Sequence, residues 1–340
     1  MILEKTVSVG SDMVQDYSWS WVSAIFDSIG YRQLMTLCDL NELELPQLFA
    51  TLVEGPQLDQ LLDLAMLEDL GEQGDLTTRA TVDPTRGVDA AIVARSSGIL
   101  SGVGALDHFM RRHAGQLSWW WNLHDGDRVQ SGEVVCRISG ALAMLLPVER
   151  IMLNLLGRLS GVATSTAAHV AAVAGTNVRI CDTRKTTPGH RALEKYAVRC
   201  GGGWLHRIGL FDAMLVKDNH IGVLDPDEMA SRVVSAAREV RASSEVRFIE
   251  VEVDNLDQLA ALIEVGSDVI DIVLLDNMPP DLLRQAVVQR DGNAPHLLLE
   301  ASGGVTLEAL PSIADSGIDR ISVGALTHSV NQLDFGLDLL

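Results

Sequence analysis

This sequence is short of several things, and each shortage excludes something. No run of 18 or more uninterrupted apolar residues occurs in its 340 residues, so no transmembrane helix is expected, since a span needs about 20. Its four cysteines, Cys38, Cys136, Cys181 and Cys200, show no CxxC spacing, which argues against a thiolate metal site or a disulfide framework and for reduced thiols in a cytoplasmic protein. The start, "MILEKTVSVGSDMVQDYS", lacks a basic segment followed by an apolar one, so no secretory signal is expected. Cations are outnumbered, 26 Lys and Arg against 46 Asp and Glu, for a net charge of −20. Generic nucleic-acid binding needs a basic face and is therefore disfavoured. The segment "SWWWNLHDGDRVQSGEVVCRISG" superficially resembles a lipoyl- or biotin-carrier hairpin but has no Lys at its tip. A packed β-hairpin with Asp-Gly and Ser-Gly turns is expected instead.

What is present suits a globular enzyme: 47% hydrophobic and 21% charged residues, enough for one large or two moderate domains. Residues 1–55 read as a helical N-terminal extension ending near Gly55-Pro56, followed by a helix from Gln57 to Leu70. Residues 88–139 read as β-rich, and 146–175 as one or two amphipathic helices. Beyond them, short apolar runs alternate with helical stretches. "NVRICDT" precedes "RALEKYAV", "AMLVKDNH" precedes "PDEMASRVVSAAREVR", and the rhythm continues through "RFIEVEVD", "DIVLLDN", "HLLLEASGG" and "IDRISVGALTH". This rhythm predicts a parallel β/α barrel or an open α/β sheet. Polar residues stand at the ends of the apolar runs, where a barrel gathers its active site.

Against the acidic background, residues 179–220 hold eight Arg or Lys. Arg184, Lys185, His206 and Arg207 offer cations to an anionic substrate, and paired Arg forks suit more than one carboxylate. Lys217 ends an apolar strand, as a phosphate ligand, a Schiff-base nucleophile or half of an ion pair with Asp218. Glu252 and Asp276 suggest Mg²⁺ coordination, directly or through water, or contacts to ribose hydroxyls. Ser302-Gly303-Gly304 and Gly324-Ala325 follow the last two strands, where barrels commonly hold a phosphate; the bland reading is a tight turn.

"DTRKTTPGHRALEKYAVRCGGG", "HRIGLFDAMLVKDNHI", "EVEVDNLDQL", "LLDN" and "EASGGV", flanked by "LEDLGEQGDLTT" and "VERIMLNLLGRLSGVAT", resemble in order the signatures of the quinolinate phosphoribosyltransferases (nicotinate-nucleotide pyrophosphorylases, carboxylating). The resemblance covers about residues 57–340. It implies an α/β fold with an incomplete parallel β/α barrel, residues 161–325, and an N-terminal open α/β sandwich, residues 56–160, on which residues 326–340 pack. It implies transfer of phosphoribose from phosphoribosyl pyrophosphate to quinolinate, with Mg²⁺, giving nicotinate mononucleotide, CO₂ and pyrophosphate. Under it, Arg150 (from a partner subunit), Thr183, Arg184, His206 and Arg207 serve quinolinate. Lys185, Lys217, Glu252 and Asp276 serve the donor, its metal and the ribose, and Ser302, Gly303, Gly304, Gly324 and Ala325 hold the 5′-phosphate. It further implies a homodimer with a shared site, or a higher oligomer. The sequence departs from the resemblance at Leu205, where Asn is typical before His-Arg, at Gly157, where Gln is common, and in its first 55 residues. Three other readings stand beside it: a paralogous phosphoribosyltransferase for another pyridine or aromatic acid, a Schiff-base enzyme using Lys217, and a non-catalytic binding or assembly protein.

Overall fold

The computed structural model describes residues 39–221 and 224–340. The expectation of helix over residues 1–38 lies outside the described residues. Residues 39–55 hold one helix, α1 (Leu45–Leu52), and α2 (Pro56–Leu70) and α3 (Leu76–Thr81) follow. Helix starts follow local chemistry. Pro56 occupies the first turn of α2, where its missing N–H costs nothing. Asp75 caps α3 by accepting from the Thr78 N–H at 2.9 Å.

The next stretch is the β-rich layer: β1 (Gly87–Ala94), β2 (Gly98–Ile99), α4 (Val103–His113), β3 (Ser118–Trp121), β4 (Arg128–Val129) and β5 (Val134–Ala141). The long helix α5 (Leu142–Ala172) then runs unbroken through Pro147. The remaining chain alternates β6 (Arg179–Cys181), α6 (Arg191–Cys200), β7 (Met214–Val216), α7 (Asp218–Ile221) and α8 (Pro226–Ser243), then β8 (Ile249–Val253), α9 (Leu256–Gly266), β9 (Ile272–Asp276) and α10 (Pro280–Asn293). It ends with β10 (Leu298–Ser302), α11 (Leu310–Ala314), β11 (Arg320–Ser322), α12 (Ala325–His328) and β12 (Phe335–Leu339).

Two main sheets result. The first is antiparallel, in the order β12-β1-β5-β3, with the C-terminal strand closing one edge against β1. The second is wholly parallel, in the order β6-β11-β10-β9-β8-β7. Its edges among the described residues are β6 and β7, and Trp204 adds one parallel bridge to Cys181 beside β6. The architecture is thus the expected one: an α/β chain whose parallel strands form an open, barrel-like sheet behind an antiparallel layer.

Between the layers lies α5, its Leu156 and Leu159 fully or almost fully buried in a continuous apolar core that extends from Leu40 and Leu48 into the parallel sheet. Gly157 of α5 is a close-approach glycine. A Cβ there would stand 2.7 Å from the Leu333 carbonyl oxygen, and its own carbonyl accepts from the Leu333 N–H at 3.0 Å. Glycine is at this position because the C-terminal segment crosses the helix backbone to backbone. Among the described residues no helix is long and apolar enough to cross a membrane. Cys136, Cys181 and Cys200 are free and buried.

Candidate active site

Strand periodicity stacks the inner residues of the parallel sheet in two layers, because residues i and i+2 share a face. Glu250, Glu300 and Arg320 form the lower layer. Two residues further along their strands stand Glu252, Ser302 and Ser322, joined by Asp276 opposite Ser302 in the β9–β10 register. Above them opens a cavity of about 750 Å³.

The basic wall of that cavity is Arg184 and Lys185, after β6, with His206, Arg207 and, across the mouth, Lys217. Thr183 lies beside them, and its hydroxyl accepts from the Lys185 N–H at 3.0 Å. Neither Arg184 nor Arg207 has a side-chain hydrogen bond or ion pair among the described residues, and Nε of Arg184 is buried without a partner. Burial lowers the pKa of both guanidinium groups, and like charge adds to this: Arg191 acts on Arg184, and Arg184 on Arg207. Two unneutralised guanidinium groups in a cavity form a receptor for anions.

His206 belongs to the floor. Its Nε2 lies 2.7 Å from Glu250 and 3.5 Å from Glu300, and Arg320 donates to Glu300 at 2.7 Å. Burial opposes the imidazolium, but the two carboxylates outweigh it and raise the ring to about 9. The Arg207 N–H points at Nδ1 at 2.7 Å and disfavours a second ring proton, so the two influences conflict. In either form Nε2, facing two carboxylates, carries a proton. Burial raises Glu250, whereas His206 and Arg320 hold Glu300 down at about 2 despite its burial. The backbone of His206 is pinned separately, its N–H donating to Asp182 Oδ1 at 2.9 Å. Asp182 in turn pairs with fully buried Lys195.

On the opposite wall Lys217 pairs with Glu252. The sequence had offered Asp218 as a partner for Lys217, but the ammonium turns to the neighbouring strand instead. Glu252 therefore stands behind Lys217 rather than among the residues lining the cavity, whereas Asp276 lines it directly. Both carboxylates are hard oxygen donors on adjacent strands, the type Mg²⁺ takes when it arrives with substrate phosphates. His206, Glu250 and Glu300 also bring ligand atoms within 4.8 Å of one another. Within that trio Glu300 is already paired with Arg320 and Glu250 with His206 itself, which favours a floor of ion pairs over a metal centre.

Ser302, Gly303 and Gly304 after β10, and Gly324 with Ala325 after β11, close the far end of the cavity. Gly303 has φ +96°, and a Cβ there would lie 2.3 Å from Asn277 Oδ1. Only glycine allows this loop to fold onto the β9 end. The turn exposes backbone N–H groups beside the start of α12, an arrangement suited to phosphate. Asn277 and His328 also line the cavity and were not singled out from the sequence. Nor were Glu250 and Glu300, although the "EVE" alternation already placed Glu250 on the inner face with Glu252.

One expected residue is elsewhere. Arg150, on α5, has a side chain 64% exposed and lines a separate cavity of about 1140 Å³ with Leu61, Leu64 and Arg158. Lys185 and His328 border both cavities.

Comparison with known proteins places this geometry. Residues 75–160 match the family model of the quinolinate phosphoribosyl transferase N-terminal domain, and residues 162–338 that of its C-terminal domain. The chain is 45% identical over 277 residues to the nicotinate-nucleotide pyrophosphorylase [carboxylating] of Mycobacterium leprae, covering 81% of this chain and 94% of that one. It is 41% identical over 284 residues to a probable enzyme of the same name from Bacillus subtilis, covering 83% and 93%. Among solved structures, the nicotinate-nucleotide pyrophosphorylase from Francisella tularensis superposes with a TM-score of 0.76 at 32% identity, covering 89% of this chain and 99% of that one. NadC from Streptococcus pyogenes gives 0.74 at 35%, covering 84% and 97%.

Proposed function

The chain belongs to the quinolinate phosphoribosyltransferase family, and from that premise we propose how its residues perform the reaction. It transfers phosphoribose from phosphoribosyl pyrophosphate to quinolinate with decarboxylation, giving nicotinate mononucleotide, CO₂ and pyrophosphate, a step of NAD biosynthesis. The observation that carries the residue assignment is the pair of unpartnered guanidinium groups, Arg184 and Arg207. Quinolinate is a pyridine carrying two adjacent carboxylates, and the two Arg forks match that charge, with His206 lining the same cavity from the floor, its Nε2 held by Glu250. Thr183 at the same wall completes the contact set.

The donor takes the other side. Its 5′-phosphate lies against Ser302, Gly303, Gly304, Gly324 and Ala325, where backbone N–H groups need no countercharge. Lys185 and Lys217 draw charge from the departing pyrophosphate. As pyrophosphate leaves, the sugar C1′ becomes oxocarbenium-like, and Asp276, which lines the cavity, stabilises that positive charge, while Glu252 holds Lys217 in place. Mg²⁺, held by Glu252 and Asp276 directly or through water, would add charge neutralisation of the pyrophosphate. The pyridine nitrogen forms the new bond to C1′ as the C1′–O bond breaks. The resulting pyridinium accepts the electron pair released when the 2-carboxylate leaves as CO₂, and C2 then takes up a proton. No further cofactor is required for this electron flow.

The active unit in this reading is a homodimer with a shared site. Its support is Arg150, exposed on α5 in a groove that also holds Leu64, an exposed apolar residue. A cytoplasmic setting is the corresponding proposal for location, supported by three buried free thiols. The test is pyrophosphate release with phosphoribosyl pyrophosphate and, in turn, quinolinate, nicotinate and other pyridine acids. Release with quinolinate is expected. Release with nicotinate and none with quinolinate would favour a paralogous activity.

A further inference from the structure

Each backbone N–H from Trp204 to Gly209 has a partner, and the identity of those partners is informative. Trp204 donates to the Ile180 carbonyl at 2.8 Å. His206 uses Asp182, Arg207 uses the His206 ring, and Ile208 and Gly209 use the two oxygens of Asp212, at 2.7–2.9 Å. Leu205 is served from far outside this region. Its N–H donates to Asn41 Oδ1 at 2.7 Å, and its carbonyl accepts from Asn41 Nδ2 at 3.2 Å.

Asn41 stands 164 residues away in sequence, just ahead of α1, and is itself buried. The pair of bonds imitates a strand neighbour, because one side-chain amide meets both polar groups of one residue. That substitution matters here. Residues 204–209 contribute only the single Trp204 bridge to the sheet, so no ladder sets the orientation of the peptide units next to His206 and Arg207. The Leu205 side chain is buried, but apolar burial is non-directional and does not orient a peptide plane.

Asn41 is itself held in place. Arg199 donates to the Asn41 carbonyl at 2.9 Å and to the Gly203 carbonyl at 3.0 Å, tying the two segments together. Helix α1 is seated on α6 through an edge contact of Phe49 with Tyr196, ring centroids 5.3 Å apart.

We propose that Asn41 is a positioning residue of the carboxylate clamp, whose amide fixes the Leu205 backbone and thereby the directions in which His206 and Arg207 enter the cavity. The inference rests on the quinolinate reading of that cavity. Its test is steady-state kinetics with each substrate varied separately. Asn41→Leu removes both bonds and leaves a buried N–H and C=O unpaired, which should raise the KM for quinolinate about tenfold. The KM for phosphoribosyl pyrophosphate should stay within about twofold of the parent, because among the described residues no backbone hydrogen bond joins its proposed loops to this segment. Asn41→Asp keeps the acceptor and loses the donor, and should fall between parent and Asn41→Leu.

A folded Asn41→Leu with unchanged quinolinate KM overturns the inference while leaving the proposed function standing. So does an equal rise in both KM values that tracks lost thermal stability, the behaviour of a merely structural contact. If Asn41→Leu does not fold, Asn41→Asp decides in the same assay, and an unchanged quinolinate KM overturns the inference. A parent protein that does not turn over quinolinate at all overturns the reading beneath it, and the inference with it.

Discussion

Arg184 and Arg207 stand in the cavity with no carboxylate of their own, in a chain with 20 more acidic than basic residues. A lysine in place of Arg207 keeps the charge but loses the fork, and a charge-assisted contact of this kind is worth about 1.5–3 kcal/mol. Arg207→Lys should therefore lower quinolinate affinity at least about tenfold by calorimetry, and unchanged affinity would remove Arg207 from the clamp. The floor beneath it makes stability depend on pH. Against burial and the opposing Arg207 N–H, Glu250 and Glu300 raise His206 from 6.5 to about 9, so the contribution of its charged form is complete below 6.5 and disappears as pH rises through 9. Glu300 is lowered from 4.5 to about 2, so its contribution is present above 4.5 and is lost as pH falls through 2. The melting temperature should fall between pH 6.5 and 9.5, and His206→Asn should flatten that slope; equal slopes would place the loss in other groups. The cations that line the cavity were legible in the sequence because they crowd into one segment. Glu300 and Asn41 were not, since a glutamate within an apolar strand and an asparagine ahead of α1 become informative only when the fold brings them to His206 and Leu205.

At the scale of elements, alternation of short apolar runs with helical stretches was enough to read the parallel sheet and its rim. The reading works because strand ends, caps and glycines are local features. Asp225 and Asn255 cap α8 and α9 through the N–H groups of Glu228 and Gln258, and residues of both types are recognisable in sequence. What was not legible was contact between distant backbones. Gly157 stood out only as a departure from a resemblance, and its cause, the Leu333 carbonyl against α5, belongs to tertiary packing. Gly303 is the functional counterpart. With φ +96° and Asn277 Oδ1 in the place of a Cβ, Gly303→Ala must displace the loop proposed to hold the donor phosphate. Displacements of about 1 Å in substrate-positioning groups cost up to about a hundredfold. The KM for phosphoribosyl pyrophosphate should rise about tenfold or more, with quinolinate binding, measured alone, little changed. Equal loss for both ligands would show a general collapse of the sheet end.

Across the whole molecule, one cavity carries the proposed clamp and the proposed phosphate loops, while Arg150 lies in another that borders it at Lys185 and His328. The proposed shared site would account for Arg150, expected at quinolinate, lining a cavity other than that of Arg184 and Arg207. Mixing inactive Arg150→Ala chains with inactive Lys217→Ala chains should restore partial activity, because some mixed dimers assemble one intact site. If subunits exchange and no activity returns, Arg150 does not act across an interface. The central claim is that this cavity couples phosphoribosyl transfer to loss of a carboxylate from a dicarboxylate substrate. Its most direct test uses quinolinate labelled with carbon-14 in the 2-carboxylate, with trapped label and pyrophosphate measured in the same reaction. The account predicts one labelled CO₂ for each pyrophosphate, with nicotinate mononucleotide as the nucleotide product. Pyrophosphate released without labelled CO₂, or a nucleotide that retains the label, would contradict it.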